Sequence, residues 1–295
     1  MLKFELLSKN PIYNFERWYD RLPKKPFIMS NAGIGDIIMS TRIAKYLNTG
    51  VFHFTNHDYR LKFGSQFCNL LNVNYFCNEI RNPIVHNHIT NNKKFNYIKH
   101  MDVPIMFRTS NSNMDAKMHE ILSQEHGFTK LTKKDPRTIL ICPCASNFDY
   151  TKKRYMNRDQ LTKIINLINP EIYKIYLVGI RKDMDSVGHH PWCDWINTEE
   201  IIRYNGPTEK IDMLKFFETV GTASMAITTD TFLTHVTGIF KIPTIVLYKY
   251  NHIDEPMTHN DGNDRFFLNA NWYKHFTRST YEDLYVSLEK GINLE

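Results

Sequence analysis

Two strand-to-helix turns, about 195 residues apart, constrain this chain more than any other feature of its sequence. The first is Asn31-Ala32-Gly33-Ile34-Gly35-Asp36 and the second is Thr229-Asp230-Thr231-Phe232-Leu233-Thr234-His235. Each follows an apolar run that reads as a buried strand, Phe27 to Met29 and Met225 to Ile227, and each opens a stretch with helical periodicity. A strand that stops, turns and starts a helix gathers backbone N–H groups and the positive end of a helix dipole at one point. Such a point suits an anion, typically phosphate. Two of them, one per half, predict two α/β domains facing a cleft between a charged donor and an acceptor, which is the layout of a transferase.

The rest of the chain fits that expectation. In the first half an aromatic-rich lead (Tyr13, Phe15, Trp18, Tyr19) precedes the Phe27 strand. The helix after Asp36 places Ile37, Ala44 and Leu47 on one face, and Val51 to Phe54 reads as the next strand. From Asn56 to Lys134 the text is Asn-rich and mixed, with a helix expected around Met114 to His126. The second half is clearer. Thr138 to Cys142 reads as a parallel strand buried on both faces. Asn157 and Gln160 form a capping-box pair ahead of Leu161, Ile164 or Ile165, and Ile168. Strands at Ile172 to Val178, Met225 to Ile227 and Thr244 to Tyr248 alternate with helices carrying Ile211, Leu214, Phe217 and Val220, and then Thr231 to Phe240. This alternation predicts a parallel, doubly wound sheet. The expected domains are 1–135, 136–278 and a C-terminal helix, 279–295, packing back on the first.

At 295 residues, with 42% hydrophobic and 13% aromatic content, the chain carries enough apolar material for two cores. No run approaches a membrane span, and the first residues lack the apolar block of a signal peptide. Five cysteines without a Cys-x-x-Cys pair indicate neither a disulfide framework nor a zinc knuckle. A cytoplasmic protein is expected. Residues 1–135 hold 19 Lys and Arg against 11 Asp and Glu, whereas 136–295 hold 18 against 20. The positive half is either an unevenly charged solvated surface or the side that meets a polyanion.

Three segments carry chemistry. Asp36 stands in the first helical turn after Gly33-x-Gly35, where the glycines allow close approach of a ligand and the dipole favours a carboxylate. It is suited to act as general base, and equally to be an ordinary capping aspartate. Asp230 reads as a helix cap, leaving Thr231, Thr234 and the open amides for phosphate; a capped amphipathic helix with an incidental His235 is the plainer alternative. Lys152-Lys153-Arg154 offers cations to a pyrophosphate leaving group, or is simply a solvated basic loop.

Taken together, Gly35-Asp36, Lys153-Arg154-Tyr155 and Asp230-Thr231-Phe232-Leu233-Thr234-His235 resemble the heptosyltransferase family of GT-B glycosyltransferases. That family has Gly-Asp at its first helix, Lys-x-Trp opening its second domain and Asp-[Ser/Thr]-Gly-x-x-His near its end. Phe232 stands where the family has glycine, and Tyr155 where it has tryptophan. The resemblance implies a GT-B fold of two Rossmann-like domains and an inverting, metal-independent transfer. It implies Asp36 as catalytic base and Lys153 as a diphosphate contact, with Thr231, Phe232, Thr234 and His235 around the donor diphosphate. It places Asp230 and Lys152 near the donor sugar or nucleotide, and Gly33, Gly35 and Arg42 on the acceptor side. No cofactor is expected beyond a nucleotide-sugar co-substrate, a UDP- or ADP-sugar.

For the acceptor, the first expectation is hydroxymethylated bases in DNA, modified by a divergent phage-encoded relative working in the host cytoplasm. The lipopolysaccharide core is the alternative acceptor. A nucleotide-binding protein that has lost catalysis is the alternative of another class, and a dehydrogenase is disfavoured because the third glycine of Gly-x-Gly-x-x-Gly is missing. The pairs His53/His57, His86/His88 and His189/His190 read as surface or core histidines rather than metal ligands, and Cys142 and Cys144 read as buried thiols.

Overall fold

The computed structural model describes residues 10–30, 33–55, 58–79, 83–99, 102, 135–144, 156–188, 190–198, 209–229, 231–240, 242–247, 276–279 and 281–290. The chain divides into two compact units, Met1–Thr109 and Ser110–Glu295. The boundary expected at 135/136 adjoins the stretch 103–134, which lies outside the described residues together with the helix expected at Met114 to His126.

In the first unit the described elements run α1 (Pro11–Asp20), β1 (Phe27–Ser30), α2 (Ile34–Leu47), β2 (Gly50–Thr55), α3 (Asp58–Leu70), β3 (Asn74–Glu79), α4 (Ile84–Thr90) and β4 (Tyr97–Lys99). The aromatic lead is therefore a helix. Asn10 accepts the Tyr13 amide as its cap, Pro11 occupies the first helical position, and Phe15, Trp18 and Tyr19 form its buried stripe. Strands β3-β2-β1-β4 make one parallel sheet. Because strand side chains alternate, Phe27, Met29, Phe52 and Phe76 face the aromatic core shared with Phe15, Trp18, Val85, Ile89 and Phe95 of the α1/α4 side. The opposite face meets α2 and α3, and is more polar. There Thr41 Oγ1 lies 3.1 Å from Cys68 Sγ, and the Tyr75 hydroxyl, 2.9 Å from His53 Nδ1, donates to the Leu61 carbonyl. From Ile37 to Ala44 every residue of α2 is buried, so this helix has no solvated face along its middle, and the expected core residue Leu47 sits exposed beyond it.

The second unit contains β5 (Asp135–Cys142), α5 (Arg158–Ile168), β6 (Lys174–Gly179), α6 (Arg181–Val187), β7 (Cys193–Asn197), α7 (Glu209–Thr222), β8 (Ala223–Thr228), α8 (Phe232–Ile239), β9 (Thr244–Leu247), β10 (Phe276–Ser279) and α9 (Tyr281–Glu289). The capping box read from sequence is present: Asn157 Oδ1 accepts the Gln160 amide at 2.8 Å and Gln160 Oε1 accepts the Asn157 amide at 2.9 Å. The strands form one parallel sheet in the order β10-β9-β8-β5-β6-β7. Leu161, Ile164, Ile165 and Ile168 of α5 bury one face of it with Ile139, Ile141, Ile175 and Leu177. The C-terminal helix joins the same core through Tyr281, Leu284 and Leu288. Its apolar stripe is thus buried within the second unit.

Strand order is what locates a site. In the second sheet the winding runs β5-β6-β7 one way and β8-β9-β10 the other, the doubly wound arrangement, and it reverses between β5 and β8. In the first sheet β1-β2-β3 run one way and β4 lies on the other side of β1, so the reversal falls between β1 and β4. In open parallel sheets ligands bind outside the carboxyl ends of the strands at such reversals, where the outgoing loops diverge and leave a crevice.

Candidate functional site

The two turns singled out in the sequence leave β1 and β8, the strands at the two reversals. Each therefore lies at the point of its own sheet where a crevice is expected. That convergence uses the hydrogen-bonded strand order alone and is independent of any motif.

At the first turn, Gly33 is the N-cap of α2 and Asp36 its third residue. The carboxylate reaches back so that Oδ2 accepts the Gly33 amide at 2.8 Å, which fixes the half-buried side chain at the head of the helix. Gly33 has an ordinary extended backbone (φ −79°), and a Cβ placed on it meets Asp36 Oδ2 at 3.7 Å, normal contact distance. Among the described residues nothing in the fold requires glycine at position 33. Gly33→Ala is accordingly expected to leave the thermal midpoint within about 2 °C of wild type, as a thermal melt would show. Arg42, expected on the acceptor side, is 1% exposed within the buried middle of α2.

At the second turn, Thr231 rather than Asp230 is the N-cap: its Oγ1 accepts the Leu233 amide at 3.3 Å, and the Thr234 amide bonds the Thr231 carbonyl at 3.2 Å. Two amides of the first turn are satisfied internally, which narrows the anion site expected from the open helix end. Thr234 Oγ1 is fully buried and has no hydrogen-bond partner among the described residues. His235 is buried in the next turn. The Phe232 ring packs on Phe216 of α7, with centroids 6.2 Å apart, and so serves the contact between α7 and α8. Asp230, Lys152 and Lys153 lie outside the described residues.

Cys142, at the carboxyl end of β5 across the reversal, is one group the sequence reading left as a plain buried thiol. Burial pushes it up to about 12, opposed in part by the neighbouring Thr231 hydroxyl. It is a neutral thiol packed beneath the α8 turn. Cys144 is buried beside it, as expected. Of the histidines, His53 is buried against Tyr75, His86 stacks on Phe54 at 4.4 Å between centroids, and His88 Nε2 lies 3.1 Å from Glu16 Oε1. No group of three or more His, Cys, Asp or Glu side chains among the described residues is arranged to hold a metal ion, and no helix among them is long and apolar enough to cross a membrane.

No family model and no curated protein matches the chain. Among solved structures it is similar to the Escherichia coli ADP-heptose lipopolysaccharide heptosyltransferase II, at 10% identity and TM-score 0.46, covering 88% of this chain and 94% of that one. It is similar to a family 9 glycosyl transferase of Veillonella parvula, at 13% identity and TM-score 0.44, covering 90% of each chain. It is also similar to the Escherichia coli heptosyltransferase WaaC with ADP, at 9% identity and TM-score 0.46, covering 87% and 94%. These are glycosyltransferases of the type that the three sequence segments resemble.

Proposed function

We propose that this protein is a nucleotide-sugar-dependent glycosyltransferase of the heptosyltransferase type, inverting and independent of metal. The observation that carries the reading is the coincidence of both motif turns with the reversal points of two separate parallel sheets. In this reading the second unit binds the donor diphosphate at the head of α8, with Asp230, Lys152 and Lys153 as further contacts. Asp36, fixed at the head of α2, takes the proton from an acceptor hydroxyl as that hydroxyl attacks the anomeric carbon. The sugar–diphosphate bond breaks as the new glycosidic bond forms, and the nucleoside diphosphate leaves with the electron pair. Donor-side cations and amides favour that departing charge.

The acceptor we infer is a hydroxyl on an acidic glycan of the lipopolysaccharide-core kind rather than a base in DNA. Within residues 1–109 there are 15 Lys and Arg against 7 Asp and Glu, so the whole positive excess belongs to the first unit. Several of those cations are occupied by the fold. Arg42 and Arg60 are buried, Lys45 donates to the Leu71 carbonyl, Lys94 lies 3.9 Å from Glu16, and Lys25 lies over the Tyr19 ring. Such cations are poorly placed to neutralise the regular phosphates of a duplex, which needs a row of free charges. The test is release of nucleoside diphosphate from ADP- and UDP-sugars, without acceptor, with phosphorylated core oligosaccharide, and with DNA containing hydroxymethylated bases. Stimulation by the oligosaccharide alone is the expected result. Stimulation by DNA alone reverses the acceptor assignment, and no turnover with any pair favours a binding protein without catalysis.

A further inference from the structure

The turn between β8 and α8 is held by a chain of hydroxyls whose direction can be worked out. Thr228 Oγ1 donates to the Thr229 carbonyl at 2.6 Å. A hydroxyl has a single proton, so in the 2.8 Å contact between Thr228 Oγ1 and Thr231 Oγ1 the Thr231 hydroxyl is the donor. With its proton committed to Thr228, Thr231 turns its lone pairs toward the Leu233 amide, which it caps at 3.3 Å. The Thr229 amide is tied in turn to the Cys142 carbonyl at 3.2 Å, across the sheet reversal. Thr228 is fully buried and Thr231 nearly so. One side chain thus fixes the residues on both sides of position 230: Thr229 through its carbonyl and Thr231 through its proton.

We propose that Thr228 is a positioning residue for the donor-diphosphate site, acting through Thr229 and Thr231 to set the end of β8 and the first turn of α8. This rests on the proposed function, since it presumes that the turn holds a nucleoside diphosphate. The chain of hydroxyls has a second consequence. The Thr231 proton is spent inside the protein, so the Thr231 hydroxyl serves the site as a cap and not as a donor to phosphate. A second buried pair, between α8 and β9, supplies the control: Thr237 Oγ1 donates to the Thr234 carbonyl at 3.1 Å and lies 2.9 Å from Thr244 Oγ1, which also faces the Ile242 carbonyl at 2.8 Å.

The experiment compares Thr228→Val, Thr228→Ser and Thr237→Val by calorimetric binding of ADP and UDP, and by KM and kcat for the matching nucleotide-sugar. Val keeps the shape and removes the hydroxyl; Ser keeps the hydroxyl. Thr228→Val is expected to weaken nucleotide binding and raise KM at least tenfold with kcat changed less than threefold. Thr228→Ser and Thr237→Val are expected to stay within threefold of wild type, although both Val variants lose a buried hydrogen bond and melt lower. Should Thr228→Val fail to fold, Thr228→Ala takes its place in the same comparison. Equal weakening in Thr228→Val and Thr237→Val, or none in either, overturns the positioning role. A wild type that binds neither ADP nor UDP overturns the functional reading itself, and this inference with it.

Discussion

Asp36→Asn is expected to lower kcat by a factor of about 10² to 10⁴, the usual contribution of a positioned general base, while leaving affinity for the nucleotide-sugar within about twofold. The substitution is clean because of how Asp36 is held. An asparagine keeps an oxygen for the Gly33 amide that Asp36 now bonds at 2.8 Å, and asparagine is well tolerated at a helix head. The fold and the α2 cap therefore survive, and only the ability to accept a proton is removed. Steady-state kinetics with separate titration of donor binding checks this. A folded Asp36→Asn protein with kcat above about a tenth of wild type assigns Asp36 to the cap alone, because general-base catalysis is worth more than tenfold.

The largest stability effect is expected at Phe15. Its ring is fully buried and stands 5.1–6.1 Å, centroid to centroid, from those of Trp18, Tyr19, Phe27, Phe52, Phe76 and Phe95. Phe15 is where α1, the first sheet and the segment before β4 meet. Deleting the ring leaves a cavity that several rigid aromatic planes cannot collapse to fill. Phe15→Ala should cost about 3–5 kcal/mol, a large share of the stability of an ordinary domain. Urea unfolding followed by tryptophan fluorescence, which reports Trp18 of the same cluster, measures it. A loss below about 1 kcal/mol would mean that the aromatic cluster is not the core of the first unit. The second unit supplies an internal reference, since its buried residues form a separate cluster.

The parts of the fold legible in the sequence are those where one local signal suffices. Strands β1, β5, β6, β8 and β9 are short apolar runs buried on both faces, and their periodicity has nothing to compete with. The Asn157–Gln160 box fixed a helix start to the residue because the same two side chains satisfy both amides. The stretch after Asn56 was opaque for a physical reason. Strand β3 has the sequence Asn-Tyr-Phe-Cys-Asn-Glu, and α4 carries two histidines and an asparagine in seven residues, so polar groups mask the pattern. Their burial comes from tertiary packing: Tyr75 bonds His53 and Leu61, and His88 is beside Glu16 of α1.

The site divides in the same way. Asp36, Thr231 and Thr234 could be proposed from the sequence because strand-to-helix turns are local. Strand order, which puts those turns at the sheet reversals, is a property of long-range pairing that no window of sequence contains. The burial of Arg42 was not legible, because the enclosure of α2 along its middle comes from tertiary packing. Thr228 carried no signal in the sequence, and Cys142 read as a buried thiol only, which it is. Only the meeting of β5, β8 and α8 makes them parts of one turn.

The central claim is that a nucleoside diphosphate sits outside the carboxyl ends of β5 and β8. Backbone hydrogen exchange with and without saturating ADP, and again with UDP, tests it most directly. One of these nucleotides is expected to slow exchange in the segments containing 142–144 and 228–236, leaving α1 and α4 of the first unit unchanged. Protection confined to the first unit, or none with either nucleotide at concentrations that saturate binding, would contradict it.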